Sequence, residues 1–310
     1  MAIDIRDAFF DEVYDIASRD RDVVFMTADA DAFSLRRYKQ DMPEQFINVG
    51  VAEQNMVDVA AGLALCGKKV FIYAIIPFVT MRCYEHTKAT ICGMNLPVTI
   101  VGAGAGLSFG YDGPTHHAVQ DIAVMRVLPE MTILNPCDDL SAAACARMAY
   151  DSATPVYVRI DKGTFPRLYD EADDFTDGLK VTREIRDINI ISTGFMSQQA
   201  VKVADELKKH STEAGAIDVY RIKPLNEALL LELIGQSRHL ITVEENSIVG
   251  GIGSVVSELL TDNQKNIPLK RVALDDRQHF DYGSREWLHE YYGLDVNSIT
   301  ETMLKELKHA

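Results

Sequence analysis

The chain has 310 residues, with 31 Lys and Arg against 46 Asp and Glu, a net charge of −15, and is 47% hydrophobic and 25% charged. That is the balance of a soluble folded protein long enough for two ordinary domains, and its sign argues against nucleic acid or an anionic membrane as partner. The longest apolar run, Val70 to Val79, contains Pro77 and is about half of a bilayer span.

The N-terminus MAIDIRDAFFDEV is acidic and amphipathic, unlike a targeting peptide, and the periodicity predicts a helix over 3–18. Strands are expected at VVFMTA (23–28) and 45–49, followed by a helix over 52–65. Next come KVFIYAII, a helix over 81–92, PVTIVGAG, a helix near 118–126, TILNP, a helix over 138–150 and VYVRI. Near-continuous Val/Ile-rich strands between helices imply a parallel sheet covered on both faces. The segment 161–180, rich in Gly, Pro and acids, reads as a linker. The alternation then restarts with INIISTG, a helix over 196–209, AIDVYRIKP, a helix over 226–235, HLITVEEN, a helix over 251–261, LKRVALD and two final helices. The expected fold is therefore two three-layer α/β domains, 1–175 and 176–310, the second smaller. Five cysteines (66, 83, 92, 137 and 145) form no CxxC pair and no metal-ligand spacing, and read as reduced thiols of a cytoplasmic protein.

Several residues stand out, each with a plain alternative. In QFINVGVAEQNMVDVAAGLAL, Glu53 lies where a strand turns into a helix that is apolar on both sides. An acid in a first helical turn ordinarily complements the helix dipole. The glycines of VGAGAGLSFG follow a strand, but Leu107 or Phe109 falls where a dinucleotide fingerprint needs its third glycine. Beyond them, YDGPTHHAVQD packs Asp112, His116, His117 and Asp121 into a loop at a strand's C-terminal end, the edge where open parallel sheets bind ligands. Such a loop can also simply hydrogen-bond its own backbone, and the spacing is not that of a zinc site. Arg159, in VYVRIDKG, is either a surface ion pair or an anion clamp. Phe78, Met81 and Arg82 follow another strand, where apolar groups are usually core.

Taken in order, NVGVAEQNMVDVAAGLAL, FVTMRCYEH, DGPTHH, LPEMTILNPCD and VYVRIDKG resemble the C-terminal half of transketolase. ITVEENSIVGGIGS and YGSREWLHEYYGLD are similar to that family's last domain, so the resemblance covers essentially the whole chain. It extends to deoxyxylulose phosphate synthase and to the β chain of pyruvate dehydrogenase-type E1 enzymes, all users of thiamine diphosphate. Transketolase fits best, because of DGPTH and because VAEQNM resembles its split, two-subunit forms.

The resemblance implies that Glu53 contacts the pyrimidine nitrogen N1′ of thiamine diphosphate and is catalytic, with His116. It implies that Phe78 stacks on the pyrimidine, with Ile75 and Met81 where transketolases often carry other aromatics. Asp112, His116 and His117 would face the substrate's hydroxyls, and Arg159 its anionic end. Two departures thin the phosphate site: Gly104 stands where transketolase has a phosphate-contacting His, and Ala105 where the synthase has an Arg. No GDG motif occurs, so this chain is expected to hold no metal itself. Mg²⁺ and the diphosphate would fall to a separate N-terminal, diphosphate-binding transketolase subunit, in an α2β2 assembly. The expected reaction is ketol transfer between sugars or sugar phosphates, with E1-like or synthase-like acyl transfer from a 2-oxo acid as the alternative.

Overall fold

The computed structural model describes residues 2–308. Its first sheet takes β1 (Val23–Thr27), β2 (Phe46–Asn48), β3 (Lys69–Ile75), β4 (Val98–Ala103), β5 (Thr132–Leu134) and β6 (Val156–Ile160). These run parallel in the order β5-β6-β4-β3-β1-β2. Side chains alternate across the sheet with the period of a strand. Val23, Phe25, Phe71 and Tyr73 meet Phe9 and Phe10 of the helix Ile5–Arg19 on one face. On the other face Val24, Met26 and Ile72 share a core with Met56, Val57 and Ala60 of the helix Glu53–Leu65. With both faces covered, the strands need no polar side, which is why they read as unbroken apolar runs.

The second sheet is built from β7 (Lys180–Arg183), β8 (Ile188–Ser192), β9 (Ala214–Asp218), β11 (His239–Ser247) and β12 (Leu269–Leu274), ordered β12-β11-β8-β9-β7. Its helices include Phe195–Lys209, Ile252–Asp262, Arg285–Tyr292 and Val296–Lys308. The run AIDVYRIKP, expected as one strand, is two. After β9 the chain crosses through Val219, whose N–H donates to Ser192, and Tyr220, whose carbonyl accepts from Asn135 N–H. It then forms β10 (Arg221–Lys223), antiparallel to β5 at the edge of the first sheet. The two α/β domains are thus joined by a shared strand. They also share a core, since one cluster runs from Met26 and Ile72 through Ile122 and Met125 to Ile217 and Ile252.

The helix Phe33–Asp41 was not legible in the sequence. Only Ser34, Leu35 and Tyr38 of its nine residues are buried, and no side chain caps its start. The linker is pinned down: Asp138 accepts from the N–H groups of Leu168 and Tyr169, and Arg167 pairs with Asp139. Because β2, β3, β4 and β6 are parallel, the segments following them emerge along one edge of the first sheet.

Candidate active site

Beyond β2 the chain turns at Gly50, with φ of +71°, a conformation that favours glycine. The helix starts at Glu53, and no side chain makes a capping hydrogen bond at its first turn. Glu53 is only 4% exposed, and its Oε1 accepts a hydrogen bond from Arg82 Nη1 at 2.9 Å. The carboxylate has turned away from a capping role, toward the segment after β3.

That segment begins with the short helical turn Ile76–Val79. Phe78 is half-buried, and the Arg82 guanidinium carbon lies 4.1 Å from the centre of its ring. His116 meets Phe78 edge-on, at 5.1 Å between ring centres and 70° between planes. Cys83 donates to the Phe78 carbonyl, and burial, with Glu53 close by, pushes its thiol up to about 12. Such a thiol stays protonated and holds the turn rather than reacting. Ile75 ends β3 half-buried, and Met81 is exposed at the rim.

The loop after β4 explains a departure noted in the sequence. Gly104 has φ of +90°, and a Cβ there would lie 2.1 Å from the Phe109 ring. Phe109 therefore fills the space that a larger residue at 104 would need. Ala105 is buried in a small cluster with Ile76 and Ala118. The Phe109 ring lies 6.2 Å from His116, and Lys162 Nζ lies 5.3 Å from the Phe109 ring centre. Thr115 Oγ1 is 3.0 Å from His116 Nδ1, and Asp112 is exposed on the same loop.

Two expected substrate contacts need correction. Arg159 is the fourth of five residues in β6 and is 3% exposed. It donates to Asp121 Oδ2 at 2.8 Å, to the Ala118 carbonyl at 3.0 Å and to Asn246 Oδ1 at 2.7 Å, so it joins the two domains rather than facing a ligand. His117 points into the protein, 3% exposed, with neither ring nitrogen partnered among the described residues. Burial pushes its pKa below 6.5. Of the expected site residues, the structure brings Glu53, Phe78 and His116 together, and adds Arg82, Phe109 and Lys162.

This donor set suits a flat cationic heterocycle. Glu53 offers a buried acceptor and Phe78 a ring face, and both engage one planar cation, the Arg82 guanidinium. For the metal and diphosphate of such a cofactor, no group of three or more His, Cys, Asp or Glu is arranged as a cage among the described residues.

Residues 1–167 match the family description "Transketolase, pyrimidine binding domain", and residues 177–299 match "Transketolase, C-terminal domain". The chain belongs to the transketolase family. It is similar to an apulose-4-phosphate transketolase subunit of Phocaeicola vulgatus, at 33% identity over 98% of this chain and 97% of that one. It is also similar to a 6-deoxy-6-sulfo-D-fructose transketolase subunit of a Clostridium species, at 34% identity over 95% and 92%. Among solved structures, "Split gene transketolase, inactive beta4 tetramer" superposes with a TM-score of 0.88 at 30% identity, covering 99% of both chains. The fold, the split-subunit likeness and the transferase class follow from these matches, and thiamine diphosphate dependence follows from the family. No helix among the described residues is long and apolar enough to cross a membrane.

Within this transketolase chain, sequence reasoning missed Phe109 and Lys162. One signal was available: Lys162 is two residues past the end of β6, while Arg159 is fourth of five within it. In a covered parallel sheet, residues beyond the strand's C-terminal end reach a ligand more readily than those inside it.

Proposed function

We propose that this chain is the pyrimidine-binding subunit of a cytoplasmic two-subunit transketolase, paired as α2β2 with a subunit that holds Mg²⁺ and the diphosphate. The observation that carries this reading is the buried Glu53 carboxylate, joined through Arg82 to the half-buried Phe78 ring, with His116 edge-on to that ring. Glu53 would hold a proton at the pyrimidine nitrogen N1′, and Phe78 would fix that ring by stacking. When bound, thiamine diphosphate supplies a carbon nucleophile and an electron sink for two-carbon ketol transfer. His116 and the exposed Asp112 would meet the hydroxyls of the ketose and aldose.

Lys162 takes the anion-pairing role that Arg159 cannot fill. The substrates in the two relatives' names, apulose 4-phosphate and 6-deoxy-6-sulfo-D-fructose, carry phosphate and sulfonate, which supports an anionic end for this chain's substrate. The test is a donor and acceptor screen with the purified chain alone and mixed with a diphosphate-binding subunit. Ketol transfer by the mixture, with none by the chain alone, is expected. Pyruvate consumption with release of CO₂, in place of ketol transfer, would move the reading to acyl transfer from a 2-oxo acid.

A further inference from the structure

Arg82 occupies the two groups assigned to the pyrimidine. Its guanidinium donates to Glu53 Oε1 at 2.9 Å and lies 4.1 Å from the Phe78 ring centre. Those are the two groups that a protonated aminopyrimidine would use, one as acceptor and one as stacking face. A guanidinium is planar, cationic and rich in N–H donors, so it presents much the same face as that ring. While the guanidinium sits there, a pyrimidine can use neither the Phe78 face beneath it nor Glu53 Oε1.

The surroundings decide which part of Arg82 can move. Its backbone is tied down: the N–H donates to the Pro77 carbonyl at 3.1 Å, and its own carbonyl accepts from Gln54 Nε2 at 3.2 Å. Cys83 Sγ fixes the same turn by donating to the Phe78 carbonyl at 3.1 Å. The Arg82 side chain, in contrast, is 43% exposed, so its head can rotate into water without opening the core. Glu53 is 4% exposed and cannot follow. Left alone it would be a buried charge without a partner, which is costly.

We propose that Arg82 is an exchangeable occupant of the pyrimidine site. It covers Glu53 and the Phe78 ring in the empty subunit and swings out when the cofactor's aminopyrimidine enters. Arg82 is then a positioning residue that competes with the cofactor, not a ligand to it. This inference rests on the reading of Glu53 and Phe78 as the pyrimidine site.

A competing occupant lowers apparent affinity by the fraction of time the site is open, so a site covered about 80–90% of the time should bind about five- to tenfold more tightly once uncovered. The experiment is calorimetric titration of thiamine diphosphate and Mg²⁺ into the full chain mixed with its diphosphate-binding subunit. Arg82→Ala is expected to bind about five- to tenfold more tightly than wild type. Arg82→Lys, which keeps the charge but loses the planar face, should fall between them and serves if the alanine variant folds poorly. Unchanged or weaker binding in both Arg82 variants overturns the proposal. Phe78→Ala is the control for the reading beneath it. If that change leaves affinity intact, the pyrimidine site itself lies elsewhere; if it weakens binding while the Arg82 variants do not tighten it, only the exchange is wrong.

Discussion

The chain carries two arginine–carboxylate arrangements of similar chemistry and opposite character. At the seam between the domains, Arg285 is bound by Glu245 and by Asp161 Oδ2, the latter at 2.7 Å, and His289 Nε2 lies 2.6 Å from Glu245 Oε1. Every side chain in that network is 10% exposed or less. Although burial works against its charge, Arg285 and His289 hold the Glu245 carboxyl below the usual carboxylate range. At the candidate site, Glu53 is just as buried, but its partner Arg82 is 43% exposed and makes a single contact to it. The first arrangement has no room for exchange and joins the domains. In the second, one partner is held and the other can leave. Burial of both partners, not the identity of the pair, separates a structural ion pair from a replaceable one.

Breaking each pair should therefore give different losses. Glu53→Gln is expected to reduce turnover of the assembled enzyme by about 10²–10⁴-fold, the usual scale for an acid–base group, while costing at most about 1 kcal/mol of stability. Steady-state kinetics paired with urea unfolding would check this, and a variant with wild-type turnover would return Glu53 to the helix-dipole role. Arg285→Ala should do the reverse. It strands Asp161 and leaves Glu245 with His289 alone in the seam, and should cost about 3–5 kcal/mol in unfolding free energy. A loss below about 1 kcal/mol would mean that the seam is wetter than its burial indicates.

Lys162→Ala tests the rim of the site against Arg159, which the same β6 segment carries inside. A charge-assisted hydrogen bond contributes about 1.5–3 kcal/mol, so phosphorylated donors should lose roughly ten- to a hundredfold in kcat/KM while unphosphorylated ones change little. Equal losses for both would remove Lys162 from anion binding.

The smallest effect concerns His117, buried with neither ring nitrogen partnered among the described residues. Its folded-state pKa lies below 6.5, because burial disfavours the charged ring. As pH falls below about 6.5 the unfolded chain takes up a proton that the folded chain refuses, so stability is full above that pH and declines beneath it. Melting curves from pH 8 to 5 should show wild type losing stability relative to His117→Leu. Parallel curves would mean that His117 finds a proton acceptor when it charges.

What the sequence determined by itself was whatever is local and periodic. Alternating Val/Ile runs and amphipathic segments marked two parallel-sheet domains, and Glu53, Phe78 and His116 stood at strand ends whose position follows from parallel topology. Weakly patterned pieces escaped it, such as the helix Phe33–Asp41, with three buried residues in nine. The tertiary structure alone decided the rest. The path of β10 into the first sheet depends on which edge was free, and no local pattern encodes a distant edge. Arg159 and Lys162 are three residues apart, yet one is sealed against Asp121 and Asn246 while the other reaches the rim beside Phe109. Gly104 reads in the sequence as a missing phosphate contact, and only the fold places the Phe109 ring in the space beside it. Charge and residue type are written in the chain, but burial and partnership arise only when segments far apart in sequence close on one another.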